Sequence, residues 1–207
     1  HLPIVESALN PKAKSPAGAM GLWQFMLPTG KMFGLEVNSM IDERCDPIKA
    51  TEAACKYLKY LHSLYNDWNM ALAAYNAGPG TVNNAIRRSG GKTTYWEIYN
   101  YLPRETQGYV PAFIGVNYVF SHAPEHNLYP VEPRKRYFEY DTVMVDRELD
   151  MTSISVILGI TMDELKFLNP VYKTNVIPKF ENKKSYLYLP KDRSEEHTSE
   201  LQSRQYL

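Results

Sequence analysis

The chain has 207 residues, 44% of them hydrophobic and 22% charged, a composition that argues against a chain disordered throughout and supplies enough apolar material for a packed core. Its 23 Lys+Arg balance 23 Asp+Glu, so no net field draws it onto nucleic acid or anionic lipid. No apolar run reaches the roughly 18 residues of a membrane-spanning helix.

In chain order, HLPIVESAL predicts a helix that the Asn10–Pro11 pair stops, placing Glu6 near a helix end. Ser15 before Pro16 reads as a second helix start, with AGAMGLWQFM following, because a hydroxyl cap and a proline at the first helical position favour initiation. Asp46–Pro47 repeats that signal. After it, Ala50, Ala53, Ala54, Tyr57, Leu58, Leu61, Leu64 and Tyr65 mark one face of a 3.6-residue period. Trp68 to Ala77 is a further short helix ended by Gly78-Pro79-Gly80, with Thr81 as the expected cap of VNNAIRRS, which stops at Gly90-Gly91. Tyr95 to Leu102 and Pro103 to His122 are also helical in pattern, and Pro111 is expected to kink or divide the second.

Residues 123–136 are richer in proline and polar residues and read as a linker. It ends in the basic run Arg134, Lys135, Arg136, whose plain reading is a solvated surface. YFEYDTVMV and KSYLYLP alternate like strands, and TSISVILGI and MDELKFLN between them read as two short helices. The fold class is therefore mainly α: a helical domain over 1–122 followed by a small βααβ module over 137–190. No further copies occur, so the chain is not a repeat array.

Cys45 and Cys55 form no CxxC pair, which removes support for a zinc ribbon or a thioredoxin-like redox site. They leave two readings: a structural disulfide, or a buried free thiol at Cys55 on the apolar side of its helix. The first residue is His1 and the chain begins inside an apolar run, so a signal peptide, lipid anchor or leading helix is expected upstream. The last fifteen residues, RSEEHTSELQSRQYL, resemble a translated sequencing adapter, and 193–207 are set aside from functional reasoning.

No GxSxG elbow, P-loop, GxGxxG or HExxH occurs, and the five histidines are scattered without a shared helix face, so neither a metal nor a cofactor is expected. Ser7 has no histidine placed by sequence to activate it and reads as a helix-end hydrogen-bonding residue. Glu6 stands out because its neighbours Pro3, Ile4, Val5, Ala8 and Leu9 are apolar or small. Such surroundings push a carboxyl from about 4.3 toward roughly 6, where it can donate a proton near neutral pH. A lone Glu at a helix end is more often an ordinary surface residue, so this reading depends on the other motifs.

ESALNPKAKSPAGAMGLWQFMLPTG, AYNAGPGTV and YLPRETQGYV together resemble the three signatures of the family 1 lytic transglycosylases, relatives of goose-type lysozyme. They occur in the family's order across roughly residues 1–122, and the wording is closest to the membrane-bound D type. The resemblance implies a lysozyme-like helical domain, cleavage of peptidoglycan glycan strands between N-acetylmuramic acid and N-acetylglucosamine with 1,6-anhydro ends, and a periplasmic or cell-envelope location; lysozyme-type hydrolysis of the same bond and non-catalytic peptidoglycan binding are the alternatives. It makes Glu6 the general acid and later base, with no second catalytic carboxylate. It places Ser15, Gln24, Met26, Tyr75, Asn76, Glu105 and Tyr109 at the substrate. Trp23, where many relatives have Met, is expected to alter packing or the groove wall. The C-terminal unit resembles a diverged LysM module in which Asp141, Thr142 and Val143 stand for the usual Gly-Asp-Thr-Leu opening; sugar binding and a structural cap are both open for it. The partner implied is the glycan strand; no nucleic acid is expected, and a monomer is.

Overall fold

The structure, a computed structural model, describes residues 1–132 and 140–191. The basic run at 134–136 and the adapter-like tail lie outside them. The chain divides into two units, one of His1–Leu35 with Pro47–Pro130, the other of Glu36–Asp46 with the chain from Val131 onward.

The first unit is helical: α1 Leu2–Ser7, α2 Leu27–Met32, α3 Pro47–Tyr65, α4 Trp68–Ala77, α5 Pro79–Arg88, α6 Tyr95–Ile98 and α7 Arg104–Ser121. Helix α4 is its centre, packed by α3, α5, α6 and α7. The sequence WNMALAAYNA explains this, since its middle, Met70–Ala74, is apolar on every side and must be enclosed, and Met70, Ala71, Ala73 and Ala74 are fully buried. Asp67 caps it by accepting from the Met70 N–H at 2.8 Å. Gly78, at φ 81°, closes α4 and serves as the N-cap of α5. The helix therefore begins at Pro79, two residues before the predicted Thr81 cap, because proline fits the first helical position once glycine has supplied the left-handed turn. On α3 the predicted face is buried at Ala50, Ala53, Ala54, Tyr57 and Leu61, while Leu64 in the last turn is exposed.

One other expectation is corrected. Residues 13–25 form no helix. Gly18 and Gly21 have positive φ, and the segment folds back through isolated bridges of Lys14 to Met20 and Met20 to Phe25. The Ser15 hydroxyl accepts from the Ala19 N–H at 3.0 Å, holding this turn in place of a helix start. Pro111 lies within an undivided α7.

The second unit has β1 Tyr140–Val145, β2 Leu149–Asp150, α8 Met151–Leu158, α9 Met162–Leu168, β3 Val176–Ile177 and β4 Ser185–Pro190. Strands β1 and β4 pair antiparallel with Val143 opposite Leu187, and β2 pairs with β3. The predicted βααβ order is thus present, with a second small ladder that two-residue strands could not announce in sequence. Val143, Val145, Leu187 and Leu189 point to one buried face, as a period of two requires. Asn169 is buried and ties α9 to β4: its amide donates to the carbonyls of Leu165 and Tyr188, and its Oδ1 accepts from the Tyr188 N–H at 2.8 Å.

Segment Glu36–Asp46 belongs to this second unit, although the sequence reading ran the first domain unbroken through it. Ile41, 3% exposed, joins the module's core and bridges Tyr172. The Asp42 N–H donates to the Val171 carbonyl at 2.9 Å, and Lys183 pairs with Glu36 and Glu43. No disulfide joins Cys45 and Cys55. Cys45 is buried, and Cys55, expected on the apolar face of α3, is exposed.

Candidate active site

Glu6 occupies the penultimate position of α1, a helix of six residues whose Leu2 is buried and which packs on α7. Immediately after it the backbone turns left-handed at Ala8 and Leu9. Two consecutive non-glycine residues in that region cost roughly 1–2 kcal/mol each. Ser7 offsets part of that cost: its hydroxyl donates to the Pro3 carbonyl at 3.1 Å and to the Leu22 carbonyl at 2.9 Å, tying the helix end to the turn that carries Gln24. The expected structural role of Ser7 is therefore what the geometry displays.

The Glu6 carboxyl is half-buried. The Tyr109 hydroxyl, on α7, donates to its Oε1, which leaves Oε2 as the atom available to a ligand. Burial pushes the carboxyl up from 4.5 to about 7; the Tyr109 hydrogen bond opposes this and the charge of Glu105 adds to it. Desolvation outweighs a single hydrogen bond, so the group is held near half-protonation at neutral pH. The two phenols beside it, Tyr109 and Tyr75, are raised well above the usual phenol range by burial and then by Glu6. Both are neutral donors at any ordinary pH.

Around Glu6 lies a cavity of about 740 Å³, a size that suits a ligand of several rings. Ser15, Gln24, Met26, Tyr75, Asn76, Glu105 and Tyr109 all line it together with Glu6, so every predicted site residue reaches one space. Each is fixed differently. The Gln24 side-chain nitrogen donates to the carbonyls of Gly21 and Ala13 at 2.8 and 3.1 Å, leaving its Oε1 for a ligand. The Tyr75 hydroxyl donates to the Trp23 carbonyl at 2.9 Å. Trp23 itself is buried outside the cavity lining and its indole donates through Nε1 to Thr51 at 2.8 Å, so the side chain acts on packing and not on the wall. Asn76 Nδ2 donates to Glu105 Oε1 at 3.2 Å.

Sequence reasoning missed Tyr57, Phe25, Thr29 and the small residues Ala17, Ala19, Gly78, Gly108 and Ala112, which also line the cavity. Part of this was legible: 105, 108, 109 and 112 fall at the i, i+3, i+4, i+7 positions of one helix face. Gly108 and Ala112, flanking Tyr109 on that face, are small enough to form a groove floor. Tyr57 reads only as core from its periodicity; its ring stands 5.2 Å from that of Tyr75 and backs it. Among the described residues no cluster of His, Cys, Asp or Glu is arranged to hold a metal ion. No helix there is long and apolar enough to cross a membrane.

The Transglycosylase SLT domain family matches residues 1–98, and the LysM-like domain of lytic transglycosylase MltD matches residues 139–206, running into the adapter-like segment. The chain carries a transglycosylase SLT domain followed by a LysM-like domain of the lytic transglycosylase MltD type. Membrane-bound lytic murein transglycosylase D of Escherichia coli (strain K12) is 30% identical over 98% of this chain and 44% of its own length. The soluble lytic murein transglycosylase of the same strain is 39% identical over 51% of the chain and 17% of its own. The crystal structure of the 70 kDa soluble lytic transglycosylase of Escherichia coli covers 53% of this chain and 19% of that one, at 37% identity and a TM-score of 0.44. The chain thus spans under half the length of the curated relatives named here. The helical SLT domain and the βααβ LysM-like module follow the predicted order.

Proposed function

We propose that the SLT-domain unit cleaves peptidoglycan glycan strands at the bond between N-acetylmuramic acid and N-acetylglucosamine, using Glu6 as its one catalytic acid. The observation that carries this is a carboxyl raised to about 7 lining a cavity in which Gln24, Tyr75, Asn76 and Tyr109 are held by hydrogen bonds. At neutral pH a substantial fraction of Glu6 carries a proton, and Oε2 delivers it to the glycosidic oxygen as the bond to the anomeric carbon breaks. Positive charge then builds on that carbon. With Glu105 assigned to substrate binding and no second catalytic carboxylate in the scheme, the substrate's own acetamido carbonyl serves as the internal stabiliser, as in the substrate-assisted exceptions to two-carboxylate glycoside cleavage. Tyr75 and Asn76 orient that group, while Ser15, Gln24, Met26 and Glu105 bind the flanking sugar atoms.

The carboxylate left after protonation is the base for the second step. It takes the proton of the muramic 6-hydroxyl, whose oxygen bonds to the anomeric carbon. The product ends in a 1,6-anhydro ring, no water is consumed, and Glu6 is again protonated. The raised value serves both halves, since an acid near 7 gives up and regains a proton at comparable cost. The site of action is the bacterial cell envelope, where the substrate resides, and no cofactor enters the scheme.

Release of soluble fragments from dye-labelled sacculi tests this reading. Glu6→Gln is expected to lower the rate by at least about a hundredfold, because the general acid contributes on the order of 10²–10⁴. Equal release by Glu6→Gln and the parent would show that the carboxyl is not the catalyst.

A further inference from the structure

Thr106 is 1% exposed, lies in the first turn of α7 and does not line the cavity. A threonine in a helix ordinarily turns its hydroxyl back onto the carbonyl four residues earlier. Here that carbonyl, of Leu102, accepts instead from Gln107 Nε2 at 2.9 Å. The first turn is also pinned from below, since the Tyr95 hydroxyl reaches the carbonyls of Thr106 and Gln107 at 3.2 and 2.8 Å. The Thr106 hydroxyl is directed away from its own helix, to Asn76 Oδ1 on α4, at 2.8 Å.

The direction of this bond is settled by the opposite end of the amide. Asn76 faces Glu105 Oε1 at 3.2 Å, and an ionised carboxylate only accepts. The Asn76 atom toward Glu105 is therefore the nitrogen, the atom toward Thr106 is the oxygen, and the threonine hydroxyl is the donor. Glu105 and Thr106, neighbours on α7, thus hold the two ends of the amide; losing the Thr106 donor leaves Glu105 as its single side-chain anchor and Asn76 Oδ1 without that partner.

We infer that Thr106 is a positioning residue, whose hydroxyl fixes the amide of Asn76 so that its nitrogen serves Glu105 and the bound sugar. The inference rests on the reading of the cavity as a glycan-cleaving site. Thr106→Val keeps the shape and removes the donor; Thr106→Ser keeps the donor and removes a methyl group. In the full chain, turnover of sacculi by Thr106→Val is expected to show kcat reduced about tenfold, the scale of one lost buried partner. KM should change by less than about twofold, because an amide oriented for the transition state affects kcat first. Thr106→Ser is expected to recover the parent rate within about twofold.

The side-chain amide signals of Asn76, followed by ¹⁵N NMR without substrate, separate this inference from the glycan-cleaving reading. They should match between parent and Thr106→Ser and move in Thr106→Val. Unmoved signals, Val turnover equal to the parent, or Ser failing together with Val would each overturn the assignment. A parent with no turnover but with the expected amide shifts would overturn the glycan reading and keep the hydrogen bond.

Discussion

Glu6→Gln tests the electrostatics of the site without any substrate. Glutamine has nearly the shape of glutamic acid and keeps an oxygen for the Tyr109 hydroxyl that now donates to Glu6 Oε1. The Glu6 carboxyl is raised from 4.5 to about 7, chiefly by burial, and the sign of the consequence follows from proton counting. Below the ordinary value both the folded and unfolded forms are protonated, and the variant gains nothing on this ground. Between 4.5 and about 7 the unfolded chain releases the proton while the folded chain retains it, so parental stability falls relative to Gln as pH rises. Above about 7 the parent must keep a half-buried charge, and the difference is complete. A displacement of that size corresponds to about 3 kcal/mol, or about 2–3 kcal/mol once solvent screening on the open side is allowed for. All three tryptophans, Trp23, Trp68 and Trp96, lie in the helical unit, so urea unfolding followed by their fluorescence reports on it. The stability of Glu6→Gln minus that of the parent should grow by about 2–3 kcal/mol from pH 4 to pH 8. A difference independent of pH would refute the argument that burial governs Glu6.

Tyr109→Phe removes the hydrogen bond that lowers Glu6, so the alkaline limb of the pH–rate profile should move upward while kcat drops about tenfold; a downward move would contradict this. Asn169→Ala leaves the Tyr188 backbone N–H and carbonyl without their buried partner, and should cost the LysM-like module about 2–4 kcal/mol, read as faster hydrogen exchange at Tyr188. Ile41→Ala should destabilise the same module by about 2–4 kcal/mol, because Ile41 belongs to its core. If amide protection in β1 and β4 is unaffected by Ile41→Ala, segment Glu36–Asp46 is not an integral part of that unit.

Much of the architecture was legible because its signals are local. The 3.6-residue period of α3, the uninterrupted apolar run of α4 and the alternation of β1 and β4 each specify an element and its buried face. The errors fall where a local signal met a tertiary competitor. Ser15–Pro16 has the chemistry of a helix start, yet glycines at 18 and 21 with positive φ carry the chain into a folded-back loop that brings Ser15 and Gln24 to the cavity. Thr81 resembles a cap, but Gly78 takes that position one turn earlier. The membership of Glu36–Asp46 in the second unit was not legible, since the buried run Ile41–Asp46 is mostly polar and its ties to Val171 and Lys183 leave no periodic trace. In the site, residues with distinctive chemistry were found and those with support roles were not. Glu6, Tyr75, Asn76 and Glu105 stand out in short motifs, whereas Tyr57 and Thr106 read as ordinary core until their partners on other helices are seen.

The central claim is that Glu6 acts first as acid and then as base on the same muramic residue. Mass spectrometry of the muropeptides released from purified sacculi tests this most directly. Products ending in 1,6-anhydro-N-acetylmuramic acid, present with the parent and absent with Glu6→Gln, are the predicted result. Products carrying only hydrated reducing ends would contradict it, because water and not the 6-hydroxyl would then be the acceptor.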